Sequence, residues 1–173
     1  MVDKIVSIES LLFREEVQKE YRKTLLLNMF KKLVQAMNSD TGYRNKIKKL
    51  YSQSVNPIET TSIIFKKKYS LLLEDSDSNL VHSWIVAYFK KALKRKTISI
   101  DVKMQLLKQQ NGKCAVCGKE LGNDFSRIHV DHVIPWVLVG DELDNNYQVL
   151  CDFCNECKSS RTDYVFKHLI HLI

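Results

Sequence analysis

Residues 114–161 read CAVCGKELGNDFSRIHVDHVIPWVLVGDELDNNYQVLCDFCNECKSSR. Two Cys-x-x-Cys pairs, Cys114/Cys117 and Cys151/Cys154, enclose an Asp131-His132 dipeptide and a run from Asn146 to Leu150, and Asn155 directly follows Cys154. Thiols and hard oxygen donors are interleaved, and the two classes prefer different ions. Four thiolates favour zinc in a closed tetrahedral site, whereas carboxylate and carbonyl oxygens suit magnesium or manganese. The spacing therefore predicts two metal sites, a zinc staple and a separate site for a hard divalent cation. Two residues between the cysteines let both sulfurs of a pair reach one ion, and Gly118 permits the tight turn after the first pair. Cys157 forms a further Cys-x-x-Cys with Cys154, so spacing alone leaves the fourth ligand open.

Around these residues the pattern is a hairpin and a helix. Arg127 to Asp131 alternates as a strand does, Tyr147 to Leu150 is a second short run of the same kind, and a helix is expected from Asn155 onward. Adjacent strand residues point to opposite faces, so Asp131 and His132 serve one site only at a bend or strand end, which Val133-Ile134-Pro135 supplies.

Four blocks resemble the HNH nucleases, the ββα-metal or His-Me finger superfamily, in the zinc-stapled form found among bacterial restriction endonucleases. They are Gly112 to Gly118, Val130 to Pro135, Asn146 to Cys151, and Cys154 to Lys158, in the family's order. The resemblance covers roughly the last 70 residues. It implies that His132 is the general base, that Asp131 and Asn155 hold a catalytic magnesium or manganese, and that Asn146 is structural, bonding backbone in the loop so as to orient His132. Asn145 is the alternative for that last role. The resemblance expects Cys-Asn-x-x-Lys at the helix, which selects Cys114, Cys117, Cys151 and Cys154 as the zinc ligands and leaves Cys157 a packed thiol. Lys158 and Arg161, about one turn apart, are expected to face phosphates. His129 lies on the strand face of Asp131 and ranks below His132 because it lacks the adjacent carboxylate. His168 and His171, at i and i+3, read as part of an ordinary terminal helix.

The chain has 173 residues and a formal charge of +7. Residues 1–100 carry 19 Lys+Arg against 10 Asp+Glu, or +9, and residues 101–173 carry 8 against 10, or −2. The basic excess thus lies outside the candidate site, so a polyanionic substrate would be held largely by the N-terminal part. No run of about 18 apolar residues occurs and the start lacks a signal-peptide pattern, which predicts a cytoplasmic protein with no membrane contact. Five cysteines in such a chain point to metal ligation or free thiols over disulfides.

Upstream the pattern is helical. From Ile8 to Met37, Leu26, Phe30, Leu33 and Met37 fall at i, i+4, i+7 and i+11. Ser39 to Gly42 reads as a break, and Tyr43 to Tyr51 as a short basic helix with an apolar edge at Tyr43, Ile47 and Leu50. Asn56-Pro57-Ile58-Glu59 reads as a helix start, weakened by the β-branched run that follows. Glu74 to Asn79 reads as an acidic connection, and Leu80 to Lys94 as a helix ending in Lys90, Lys91, Lys94 and Arg95. Ser99 is a plausible cap for a helix in which Ile100, Met104 and Leu107 share a face.

These readings combine into an α+β chain: a mainly helical basic domain, residues 1–98, binding nucleic acid or a partner, then an HNH nuclease domain, residues 99–173, with a structural zinc. The implied activity is metal-dependent hydrolysis of DNA phosphodiester bonds, giving 5′-phosphate and 3′-hydroxyl products, in restriction or another defence against foreign DNA. Lys90, Lys91, Lys94 and Arg95 are candidate DNA contacts, and a homodimer or a partner protein on the helical domain is a candidate assembly. The rival readings are a non-catalytic zinc module that binds nucleic acid and a nuclease subunit active only with its partner. RNA is a weaker alternative substrate.

Overall fold

The computed structural model describes residues 15–92, 94–122 and 124–159. Seven α-helices and one two-stranded antiparallel sheet are present among them, an α+β fold. The helices are α1 (Glu15–Ser39), α2 (Thr41–Gln53), α3 (Pro57–Tyr69), α4 (Asp75–Lys90), α5 (Ile100–Gln109), α6 (Trp136–Val139) and α7 (Asp152–Lys158). The strands are β1 (Ile128–His132) and β2 (Tyr147–Cys151). No helix among the described residues is long and apolar enough to cross a membrane.

By contact the chain falls into two units. One holds Leu26–Arg95 together with Trp136–Asp144; the other holds the described residues up to Leu25, Lys96–Pro135 and the chain from Asn145. In the first, the heptad-like stripe of α1 is the core: Leu26, Phe30, Leu33 and Met37 are all buried, with Leu27 and Val34 beside them. Phe30 meets Trp84 of α4 with ring centroids 5.6 Å apart, and Ile47 of α2, Phe65 of α3 and Ile85 of α4 are also buried. The expected helix from Ile8 begins in residues outside the described ones, as does Leu93.

Local chemistry sets the helix starts. Asp40 alone is the break after α1, and its carboxylate accepts the N–H of Tyr43 at 2.9 Å. Asn56 caps α3 by accepting the N–H of Glu59 at 3.2 Å, with Pro57 at the first position. The β-branched run stays helical because Thr60 and Thr61 donate their hydroxyls back to Asn56 O and Pro57 O, at 3.1 and 3.0 Å, while Ile64 and Phe65 are buried. Packing outweighs propensity here.

Three expectations are corrected. The acidic segment after Glu74 is the first turn of α4, which begins at Asp75 rather than Leu80 and ends at Lys90 rather than Lys94. Asp75 and Asp77 sit where the helix dipole favours negative charge, so acidity there marks a start and not a linker. Of the edge assigned to α2, only Ile47 is buried, and Leu50 is exposed. Ser99 caps α5, accepting the N–H of Val102 at 3.4 Å, yet no residue of α5 is buried: Ile100 is 61% and Met104 53% exposed.

Trp84, fully buried at the centre of the helical unit, is the most sensitive core position. Trp84→Ala removes the largest buried ring and leaves a cavity, costing about 3–5 kcal/mol. Urea unfolding followed by circular dichroism reads this as a lower midpoint with an unchanged slope.

Candidate metal centre and active site

The cysteine frame is built from three pieces of chain. The first knuckle, Cys114 to Gly118, is closed by Gly118 N–H donating to Cys114 O at 3.0 Å, and the 68° φ of Gly118 is the left-handed turn that glycine adopts without strain. Cys151 ends β2 and Cys154 lies in the first turn of α7. The Sγ atoms of Cys114, Cys117, Cys151 and Cys154 all lie within 4.8 Å of one another, and those of Cys117 and Cys151 are 3.8 Å apart. A tetrahedron with Zn–S bonds of about 2.3 Å has edges of about 3.8 Å, so the spacing suits zinc and is far too long for a disulfide.

Electrostatics point the same way. Burial pushes the Cys117 and Cys154 thiols up, and neighbouring sulfurs push Cys154 further, whereas at Cys114 burial is outweighed by the N–H groups of Cys117, Cys151 and Val116, which pull its thiol down. Four such groups ionise together only around a cation. Cys157 packs partly buried against this cluster.

The hairpin register pairs Ile128 with Cys151, Asp131 with Gln148 and His132 with Tyr147. His132 is 7% exposed, and its ring lies against that of Tyr147, centroids 4.7 Å apart. The chain beyond β1 is held by Asn146, which accepts the N–H of Ile134 at 2.8 Å and donates to Ile134 O at 3.0 Å through its side chain. Its carbonyl accepts the N–H of Val133 at 2.8 Å.

Helix α7 lies along the other strand face. Asp152 accepts from His129 Nε2 at 2.7 Å and from Arg127 Nε at 3.1 Å. Lys158 Nζ donates to Asp131 Oδ2 and to His132 O, both at 2.6 Å. Residues 152, 155 and 158 share one face of α7, so Asn155 lies between these two contacts, facing the β1 side that carries His129 and Asp131. Asp131 Oδ1 and the Asn155 side chain make no hydrogen bond among the described residues. Two hard oxygen donors are thus left on facing elements, a set that fits a magnesium-like cation completing its shell with water.

The segment 114–161 matches the family model described as HNH endonuclease. It is an HNH domain, and its four cysteines are positioned to bind a metal. Proteins that carry HNH domains are generally nucleases. No solved structure matches the chain.

Within the HNH domain Asp131 and His132 end β1, Asn146 holds the backbone just beyond them, and Asn155 lies on α7. Lys158 does not face phosphate as expected: it is 2% exposed and bound to Asp131 and His132. A lysine at the last position of a helix reads as a surface cation in sequence, and only the close strand explains its burial. Arg161, His168 and His171 lie outside the described residues. Lys90, Lys94 and Arg95 are exposed, while Lys91 is half-buried with Nζ bonded to Val137 O at 2.9 Å.

Gln110 escaped sequence reading. Its side chain accepts the N–H of Val149 at 2.8 Å and donates to Val149 O at 3.0 Å, closing the open edge of β2 as a third strand would. Nothing in the sequence marks a glutamine for that task. Tyr147 was likewise not singled out in the sequence; the register places it opposite His132.

His129, then Arg127, hold the Asp152 carboxyl below the usual carboxylate range. The stability it contributes is present above the ordinary carboxylate range and is lost as pH falls through its lowered value; Asp152→Asn should flatten this part of the acid limb in unfolding measured against pH. A sharper test concerns Lys158. Lys158→Met strands Asp131 and should cost about 2–4 kcal/mol, less than a fully buried pair because Asp131 retains some exposure. The double variant Lys158→Met, Asp131→Ala should recover part of that loss in denaturant melts.

Proposed function

We propose that this protein is a metal-dependent HNH endonuclease that hydrolyses DNA phosphodiester bonds. The reading rests on the HNH match together with the Lys158 contacts that tie α7, the helix of Asn155, to Asp131 and His132 at the end of β1. A magnesium or manganese ion held by Asp131 and Asn155 supplies Lewis-acid stabilisation of charge on the phosphate and on the leaving 3′ oxygen. The zinc held by Cys114, Cys117, Cys151 and Cys154 is structural.

His132 takes a proton from the attacking water at a ring nitrogen, which requires a neutral imidazole near pH 7 held in one orientation. The surroundings supply that orientation. Tyr147 packs against the ring, Lys158 holds the His132 carbonyl, and Asn146 holds the backbone two residues on. As the water oxygen bonds to phosphorus, the P–O3′ bond breaks, leaving a 5′-phosphate and a 3′-hydroxyl once the leaving oxygen is protonated. Lys158 acts on this site indirectly, by fixing the Asp131 carboxylate in place.

The biological setting that fits the family is restriction or another defence against foreign DNA. A double-strand break from one active site per chain favours a homodimer or a partner protein on the helical domain. One observation favours the rival reading of a non-catalytic zinc module: His132 is largely buried. Plasmid cleavage separates the two. The zinc-loaded wild type with added magnesium or manganese should convert supercoiled plasmid to nicked or linear form, and His132→Ala should slow this by at least about 100-fold. Cutting that survives His132→Ala removes this residue from the mechanism, and no cutting by either protein with DNA binding intact favours the binding module.

A further inference from the structure

The helical unit carries an alternation of cations and aromatic rings drawn from separated parts of the chain. Lys68 Nζ of α3 lies 5.0 Å from the centroid of the Tyr43 ring, at the start of α2. The next residue, Arg44, lies over Tyr88 of α4 at 5.6 Å. Lys91 Nζ lies over that same ring at 5.9 Å and over Trp136 of α6 at 5.6 Å, and Arg95 lies over Trp136 at 5.3 Å. Among the described residues none of these four cations forms an ion pair. One carboxylate, Asp141, accepts the indole N–H of Trp136 at 2.9 Å, beside the ring that Lys91 and Arg95 face.

This arrangement differs in kind from a solvated lysine face. Burial, then the charge of Arg44, hold the Lys91 ammonium below its usual value, so the fold brings like charges together without an acidic partner. The Lys91 side chain is also fixed: Nζ is bonded to Val137 O at 2.9 Å, and its stem runs so close to Gly140 that a Cβ there would meet Lys91 Cγ at 2.5 Å. An aromatic face attracts a cation without cancelling its charge, whereas a carboxylate would neutralise it. The result is a set of oriented cations in no ion pair of their own, which suits a polyanion with regularly spaced phosphates.

We propose that Lys68, Arg44, Lys91 and Arg95, set among Tyr43, Tyr88 and Trp136, form the track on which the helical unit grips the phosphate backbone of DNA, without reading its sequence. The assignment of DNA rests on the nuclease reading above. Backbone contacts of this type release counterions, so each one lost lowers the salt dependence of binding in a countable way.

The test is equilibrium binding of a labelled duplex of arbitrary sequence to zinc-loaded full-length His132→Ala, read by fluorescence anisotropy across a salt series without added divalent metal. In that background Arg44→Gln with Arg95→Gln removes two exposed cations, and Lys46→Gln with Lys49→Gln removes the same charge elsewhere on α2. The first pair should reduce the slope of log affinity against log salt by about 1.8 and weaken binding about 10- to 100-fold near 0.1 M salt; the second should leave both near the parent values. Unchanged binding in the first pair, or an equal loss in the second, overturns the track, provided thermal melts show both variants folded. A single-stranded RNA of equal length that displaces the duplex more effectively than unlabelled duplex overturns the assignment of DNA. Wild-type plasmid cleavage is scored separately: loss of binding in the first pair without wild-type cutting retains the track and rejects the nuclease, and cutting with unaltered binding does the reverse.

Discussion

Four sulfur atoms within 4.8 Å of one another are the constraint on which the C-terminal part of the chain depends. Thiolates that close repel, and a cation at their centre turns the repulsion into a cross-link. The cross-link joins the first knuckle to the end of β2 and the start of α7. Because Cys151 and Cys154 straddle the junction of strand and helix, fixing their sulfurs fixes the angle at which α7 leaves the sheet. That angle lays residues 152, 155 and 158 along β1, and the chemistry of the site is a consequence of it. A hairpin of two five-residue strands has little apolar surface of its own.

A buried lysine then fixes the side of this frame that faces β1. Lys158 is 2% exposed, and its ammonium is satisfied by one carboxylate oxygen and one carbonyl. A buried ion pair adds little net stability, since desolvation offsets the attraction, but it selects one arrangement among many. Here it orients Asp131 and the backbone of His132 from the inside, while Asn146 holds the loop from the other end of the bend. Two polar residues distant in sequence thus bracket His132.

Much of the site was legible in the sequence because its signals are local. Cys-x-x-Cys spacing, the Asp131-His132 dipeptide before a proline, and the short alternating runs each have a physical meaning that needs no tertiary structure. The caps Asn56 and Ser99 were legible for the same reason. What sequence missed depends on contact across distance. Lys158 became an internal residue only because β1 lies over α7, and Gln110 became an edge mimic only because α5 ends beside β2. The acidic start of α4 was read as linker because charge near a helix N-terminus resembles charge in a loop. On α5 the apolar spacing was present and burial was not.

The connection between the two strands, Trp136–Asp144, belongs by contact to the helical unit, while the strands on either side of it belong to the other. The HNH module is therefore not a cassette that a single cut in the gene could lift out and graft onto a different chain. A recombination that replaced the helices would also have to rewrite the strip in the middle of the hairpin.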